Sequence, residues 1–125
     1  MDFIDIHTHS FAGSEKAIVN ILPTEEAYSE LKNRNFSIGL HPWYIDSDSY
    51  QKKLSMVLEM AKSPACLAIG ETGLDRLVKT DFELQKNIFL SHIEIAEALN
   101  KPLIIHCVRA FDELLTMKQK TGSTV

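Results

Sequence analysis

Residues 66–75 read Cys-Leu-Ala-Ile-Gly-Glu-Thr-Gly-Leu-Asp and join an apolar run to a more polar one. The first five residues have the length and apolar content of a buried β-strand. We expect the other five, which include Gly73, to follow it as a loop. This stretch therefore predicts a buried strand that ends at a carboxylate, Glu71.

Four more apolar runs have the character of short strands, and they lie at residues 3–6, 17–22, 36–40 and 103–105. Apolar residues recur at helical spacing in the segment that Thr24 could cap and at residues 48–62, 80–99 and about 110–120. An alternation of strands and helices predicts a parallel sheet with covering helices, and hence an α/β fold.

The helix at residues 80–99 has the clearest termini. Thr80 and Glu83 have the spacing of a capping box, with Thr80 as the N-cap, and Asn100 marks the C-terminus. His92 falls on the apolar stripe of this helix and is expected to be a packed helix residue. The last helix is expected to direct three apolar side chains inward, namely Phe111, Leu114 and Leu115.

Length, charge and cysteine content restrict the class of protein. The 125 residues have the size of one domain, and 13 basic against 17 acidic residues leave a net charge of −4. Bulk charge therefore does not attract this protein to nucleic acid. Two cysteines are too few for a disulfide scaffold, no run approaches the roughly 20 apolar residues of a membrane span, and the first residues are unlike a signal peptide. We expect a single cytoplasmic domain without a membrane partner.

Residue types that bind metals follow three of the predicted strands. His7 and His9 follow the first, Glu71 follows the fourth, and His106 follows the fifth. Because side chains alternate along a strand, His7 and His9 point to the same side and can grip one cation together. Imidazole nitrogen with carboxylate oxygen suits Zn²⁺, Mn²⁺ or a similar ion. The pattern predicts a metal site at the carboxyl ends of the strands.

Four motifs together resemble the successive signatures of the TatD family, which are metal-dependent deoxyribonucleases with an amidohydrolase-like (β/α)₈ barrel. The similarity runs from residue 2 to about residue 118, and the Gly-Glu-x-Gly-Leu-Asp block is the most specific part. The motifs are Asp5-Ile6-His7-Thr8-His9, Gly39-Leu40-His41-Pro42, Ile69-Gly70-Glu71-Thr72-Gly73-Leu74-Asp75 and Pro102-Leu103-Ile104-Ile105-His106.

The resemblance implies a role for each matched residue around two divalent cations, which could be Mg²⁺, Mn²⁺ or Zn²⁺. His7 and His9 would bind the first metal, Glu71 would bridge both, and His106 would bind the second. Asp5 would orient an imidazole by accepting its other N–H. In the same way, His41 would line the site near the substrate, and Glu71 and Arg109 would be catalytic, with Arg109 meeting a phosphate of DNA. No protein partner is implied.

Four other residues are not assigned to the metal site. The family usually has Gln where His92 stands, and we leave His92 out of the site. Asp75 is expected to fix the loop after Glu71 rather than to touch substrate. Trp43 and Tyr44 could stack on a base, but aromatic residues after a strand more often close a barrel rim.

The barrel that the resemblance implies is longer than this sequence. A barrel of eight strands needs about 250 residues, whereas about five strands are found here. We therefore expect an incomplete TIM-barrel-type architecture, the N-terminal portion of an enzyme, in which one further metal-binding His and a late Asp are missing. Residues 1–125 alone are expected to have little or no deoxyribonuclease activity.

Two alternatives stay open beside a deoxyribonuclease. One is an amide or lactone hydrolase of the same superfamily. Many of those enzymes bridge their metals with a carboxylated lysine, whereas the corresponding strand here ends in Glu71. The other alternative is a non-catalytic fragment that binds metal weakly.

Overall fold

The structure is a computed structural model that describes residues 18–32 and 34–121. Strands and helices alternate along this part of the chain, as the sequence predicts. The strands are β1 (Val19–Ile21), β2 (Phe36–Ile38), β3 (Cys66–Asp75) and β4 (Leu103–Val108). The helices are α1 (Glu25–Ser29), α2 (Tyr50–Ala61), α3 (Phe82–Leu99) and α4 (Phe111–Thr121), with a 3₁₀ turn at Pro42–Tyr44.

The four strands form one sheet in the order β1-β2-β3-β4, and every pair is parallel. Neighbours in sequence are thus neighbours in space, which is the order in a (β/α) barrel and differs from the reversal at the switch point of a doubly wound sheet. The α/β fold and the parallel sheet are confirmed. The strand predicted at residues 3–6 lies outside the described residues, together with Asp5, His7 and His9.

Apolar side chains fill both ends of the space between the sheet and the helices. One cluster joins β1 and β2 to α2, and it includes Val19, Phe36, Ile38 and Val57. A second cluster lies between β3, α3 and α4, and it includes Leu74, Phe89, Ile93 and Met117. The sheet is thereby held against its helices along its length, so the carboxyl ends of the strands keep fixed relative positions.

The expected loop at residues 71–75 is wrong, because β3 continues through Asp75. Its partner β4 also runs on to Val108, and the two strands pair from Ile69 opposite Leu103 to Asp75 opposite Val108. Local sequence suggests a loop because of the glycines and polar residues, but the ladder with β4 supplies hydrogen bonds that only a long-range partner can provide. Glu71 and His106 therefore lie inside strands rather than after them.

The observed helix caps confirm the sequence-based prediction at two termini and differ from it at one. Thr24 caps α1 by accepting a hydrogen bond from the Ala27 amide at 3.1 Å, and α3 ends at Asn100 in the left-handed conformation. The N-cap of α3 is Asp81, whose carboxylate accepts from the Leu84 amide at 3.0 Å, so the prediction of Thr80 is wrong. The Thr80 hydroxyl instead donates to the Pro42 carbonyl at 3.5 Å, away from the helix end.

Helix α4 turns a different face inward from the one predicted. Phe111 is 66% exposed and Leu115 is 45% exposed, so two of the three inward assignments are wrong. The buried face starts from Ala110, which is fully buried, and continues through Leu114 and Met117. Because Ala110 is fixed against the sheet where α4 begins, positions four and seven residues later follow it inward.

His92 is fully buried in α3, which confirms the expectation of a packed helix residue. Its Nε2 atom accepts a hydrogen bond from the Leu40 amide at 2.9 Å, so Nδ1 carries the proton and donates to the Ile88 carbonyl at 2.8 Å. Burial lowers the pKa of His92 to about 4, although the bond to Ile88 favours the charged form. A Gln side chain also has an acceptor and a donor, so Gln, the residue that the family resemblance leads us to expect at position 92, could make the same two hydrogen bonds.

None of the helices within the described ranges combines the length and the apolar character that crossing a membrane requires.

We predict that His92 makes the protein less stable in mild acid. Below pH 6.5 the unfolded chain takes up a proton at this imidazole, whereas the folded chain stays neutral there until about pH 4. The free energy of unfolding should therefore fall between these pH values, by up to about 1.4 kcal/mol per pH unit from this residue. Denaturant titrations of the wild type and of His92→Gln across this range measure the effect.

The His92→Gln variant keeps both hydrogen-bonding roles but has no titratable group, so its stability should depend less on pH than that of the wild type. Subtracting the two curves of unfolding free energy against pH removes the contribution that the other histidines make to both proteins. Equal slopes for the two proteins between pH 6.5 and pH 4 would show that His92 does not cause the acid sensitivity.

Candidate active site

Three of the predicted site residues come together from the neighbouring strands β2, β3 and β4. His41 follows β2, Glu71 lies in β3 and His106 lies in β4. All three line a cavity of about 390 Å³, which is within the size range of ligand sites in proteins. The remaining lining residues are Asn20, Ile21, Leu22, Gly39, Trp43 and Tyr44.

Glu71 reaches this cavity through an irregularity in the sheet. Gly70 pairs with Ile104 and Thr72 pairs with Ile105, so Glu71 is an extra residue in β3 at this point. Such a bulge re-aims a side chain, and it is common beside active sites. The Glu71 carboxylate is largely buried, and its Oε1 atom lies 3.9 Å from Nε2 of His41.

Gly73 lets β3 approach β4 beside His106. Its φ of 151° is unfavourable for other residues, and a Cβ atom at this position would collide with the carbonyl oxygen of His106. Any larger residue would push the two strands apart where they carry Glu71 and His106. The glycine is therefore required for the spacing of the site.

Asp75 holds the imidazole of His106. Its Oδ2 atom lies 2.8 Å from His106 Nε2, and its side chain is only 3% exposed. An ionised carboxylate only accepts hydrogen bonds, so His106 donates from Nε2 and keeps the lone pair on Nδ1. The loop after Glu71 that Asp75 is expected to fix is part of β3, so that expectation is wrong; Oδ1 of Asp75 instead accepts from the Leu77 amide at 2.9 Å, just beyond the strand.

Opposing influences act on the pKa of Asp75. Removal from water is the largest of them and raises the pKa. The hydrogen bonds from His106, Trp43 and the Leu77 amide outweigh it and hold the pKa of Asp75 below its ordinary value. The carboxylate is therefore ionised and available as an acceptor at neutral pH.

Aromatic rings surround the two imidazoles of the cavity. The ring centroids of His41 and His106 are 4.3 Å apart, and the Trp43 ring lies 5.0 Å from His41 and 5.6 Å from His106. The indole Nε1–H of Trp43 donates to Asp75 Oδ2 at 2.8 Å. The Trp43 amide donates to Nδ1 of His41 at 3.1 Å, so the proton of a neutral His41 is on Nε2, the atom nearest to Glu71.

Arg109 lies at the same end of the sheet but outside the lining of the cavity. It is exposed, comes directly after β4 and has a φ of 53°. Its carbonyl oxygen accepts a hydrogen bond from the Arg76 guanidinium at 2.6 Å. The predicted contact of its side chain with a phosphate stays a prediction.

The described residues supply part of the predicted metal-ligand set. Within residues 18–32 and 34–121, no group of three or more His, Cys, Asp or Glu side chains is arranged to hold a metal ion. Glu71 and His106 are the predicted ligands in those ranges, while His7 and His9 lie outside them, as does Asp5. A carboxylate beside imidazoles in a largely buried cavity fits a divalent cation that takes its further ligands from other residues.

Sequence reasoning missed two features of the site. Asp75 contacts His106 across 31 positions of sequence, for which the local pattern contains no signal. Asn20 lines the cavity and accepts a hydrogen bond from the Ser37 hydroxyl. Asn20 could have been identified from the sequence, because it is a polar residue in the middle of the apolar run at residues 17–22.

Comparison with known proteins relates the chain to one family. The family model described as TatD related DNase matches residues 7–125. An uncharacterized metal-dependent hydrolase, YabD of Bacillus subtilis, is 33% identical over 89 residues, which are 70% of this chain and 34% of that protein. The 3'-5' ssDNA/RNA exonuclease TatD of Escherichia fergusonii is 30% identical over 123 residues, which are 90% of this chain and 46% of that protein.

A solved structure shows the same fold. The crystal structure of YjjV, a TatD homolog from Escherichia coli K12, superposes with a TM-score of 0.74 at 26% sequence identity. The match covers 94% of this chain and 55% of that one. The chain thus spans less than half of either curated relative named above and about half of the solved one, and its fold is that of an incompletely covered TIM-type barrel.

We predict that Asp75→Asn weakens the fold and disturbs the environment of Trp43. An amide cannot accept from all the donors that the carboxylate now satisfies, so the free energy of unfolding should fall by about 1–3 kcal/mol. Asp48→Asn, a change at an exposed carboxylate, is the matched control and should alter stability by less than about 0.5 kcal/mol.

Denaturant titrations followed by the fluorescence of Trp43, the single tryptophan, measure both effects. If Asp75→Asn leaves the midpoint and the emission unchanged, Asp75 does not hold His106 and Trp43 as the structure indicates.

Proposed function

Because the chain belongs to the TatD-related DNase family, we propose that the protein carrying it is a divalent-metal-dependent hydrolase that cleaves phosphodiester bonds in DNA. The observation that carries the proposal is the meeting of Glu71 and His106 on adjacent strands of one cavity, with Asp75 behind His106. Relatives named as a metal-dependent hydrolase and as a ssDNA/RNA exonuclease support the reaction class and the substrate class.

We propose a division of the metal ligands among the predicted residues. His7 and His9 would hold one cation and His106 a second, Glu71 would be shared between the two cations, and Asp5 would orient one of the imidazoles. Bound divalent cations supply Lewis acidity toward the phosphodiester and lower the pKa of a bound water. Because imidazole nitrogen and carboxylate oxygen are mixed in this set, Mn²⁺ and Zn²⁺ suit it, and Mg²⁺ is a further candidate.

The residues of the chain that do not bind metal have positioning roles in this proposal. Asp75 fixes the His106 ring by accepting from Nε2 and so leaves Nδ1 as the ligand atom. His41 holds a proton on Nε2 at the cavity wall, where it can donate to a non-bridging oxygen of the phosphate. Arg109, at the same end of the sheet, supplies a planar donor pair for a phosphate.

An amide or lactone hydrolase of the same superfamily is the alternative enzyme. Many such enzymes use a carboxylated lysine where Glu71 stands, so the carboxylate favours phosphodiester cleavage. A non-catalytic role for the chain by itself is the other alternative, since the proposed activity belongs to the protein as a whole. A single domain over residues 1–125 and a cytoplasmic location stay predictions from the sequence.

We predict that Glu71→Gln removes both the metal and the activity. The amide keeps the shape of the side chain but removes the charge that would be shared between two cations, so metal affinity should fall at least about 10- to 100-fold. Glu59→Gln, at an exposed carboxylate of α2, is the matched control and should keep both the metal and the activity. Asp5→Asn should reduce metal content less than His7→Ala does.

Elemental analysis measures the metal, and a 5'-labelled single-stranded DNA incubated with Mn²⁺, with and without chelator, measures the reaction. An amide substrate tested in parallel separates the two enzyme classes. Full metal content in Glu71→Gln would remove Glu71 from the ligand set, and amide cleavage without DNA cleavage would replace the proposed function by its alternative.

A further inference from the structure

Two exposed aromatic side chains stand beside the candidate active site. Trp43 is 57% exposed and Tyr44 is 50% exposed, although both line the cavity that contains Glu71 and His106. Both side chains therefore border the cavity and present aromatic surface on which a ligand can lie.

We propose that Trp43 and Tyr44 form an aromatic platform that binds one nucleobase of a single-stranded substrate at the cavity. The base stacks on the Trp43 ring and is bordered by the Tyr44 ring, whose plane is tilted by 57° from that of Trp43 at a centroid distance of 6.5 Å. The inference rests on the proposed function and adds the element that recognises the substrate.

Contacts within the protein hold the Trp43 ring and the backbone of the platform in place. The indole N–H of Trp43 is held by Asp75 at 2.8 Å, and its ring meets those of His41 and His106 edge to face. The backbone of the 3₁₀ turn is fixed as well, because the Tyr44 amide donates to the His41 carbonyl at 2.9 Å. A pre-formed aromatic surface loses little conformational entropy on binding.

Charge gives a second reason for a stacking contact. The chain has a net charge of −4, so its bulk charge does not attract a polyanion. Stacking of bases on aromatic side chains does not need a basic surface, and it tolerates any base because every base has a π face. Stacking therefore favours a single strand over a duplex, because the π faces of paired bases are already stacked on one another.

The position of the platform relates the bound base to the reacting group. Trp43 and His106 donate to the same oxygen of Asp75, and their ring centroids are 5.6 Å apart. A base that stacks on Trp43 consequently lies close to a proposed metal ligand. The phosphate attached to that nucleotide is then near Glu71 and His106, so the platform would place the bond to be cleaved.

The fluorescence of Trp43, the single tryptophan of these 125 residues, tests the platform directly. The probe is a short single-stranded thymidine oligonucleotide, added with chelator so that no cleavage occurs. We expect it to quench the Trp43 emission, whereas an oligonucleotide of the same length with abasic sugars should quench little, as should a blunt duplex. Equal quenching by the intact and the abasic strand would overturn the proposal.

Binding affinity in variants provides the second measurement. Fluorescence anisotropy of a labelled thymidine oligonucleotide should show affinity about 5- to 100-fold weaker for Trp43→Ala and for Tyr44→Ala. Trp43→Phe keeps a ring for stacking and should lose less. Phe111→Ala, at an aromatic residue of α4 that is 66% exposed and outside the cavity, is the control and should bind like the wild type.

The outcomes separate this inference from the function on which it rests. If the protein cleaves DNA but Trp43→Ala binds the oligonucleotide as tightly as the wild type does, the platform is wrong and the proposed function stands. If the wild type neither binds nor cleaves single-stranded DNA, the proposed function fails and the platform fails with it.

Discussion

The pairing of β3 with β4 is the interaction on which the candidate site depends. It extends from Ile69 opposite Leu103 to Asp75 opposite Val108 and is the longest ladder of the described sheet. Gly73 makes the close approach possible, because a Cβ atom there would strike the carbonyl of His106. If these two strands separated, the site residues that they carry, Glu71, Asp75 and His106, would move apart, and Arg109 would move with β4. His41, Trp43 and Tyr44 follow β2 and would not be displaced directly.

A single carboxylate then connects the two halves of the proposed chemistry. Asp75 accepts from the imidazole that would bind metal and from the indole that would bind a base. Because the side chain is buried and ionised, each of these donors has a strong and well-directed partner. In the proposed site, the orientation of the substrate and the orientation of a metal ligand would both be set by this residue.

Periodicity and motif spacing were sufficient for most of the architecture. They predicted the parallel sheet, the helices and the meeting of Glu71 and His106, because the C-terminal parts of parallel strands lie toward one edge of the sheet. His41 was assigned to the site by the family resemblance alone. They failed where a distant partner decides the local structure. Residues 71–75 form a strand only because β4 lies beside them, and Phe111 faces outward because Ala110 is fixed against the sheet. The roles of the site residues came from the family resemblance, since local patterns do not encode them.

The central claim is that Glu71 and His106 belong to one divalent metal centre. The most direct measurement is an anomalous difference map from crystals of the complete protein grown with Mn²⁺. We expect anomalous peaks at coordination distance, about 2.0–2.6 Å, from a carboxylate oxygen of Glu71 and from the Nδ1 atom of His106. A map with bound Mn²⁺ elsewhere and no peak at either side chain would contradict it.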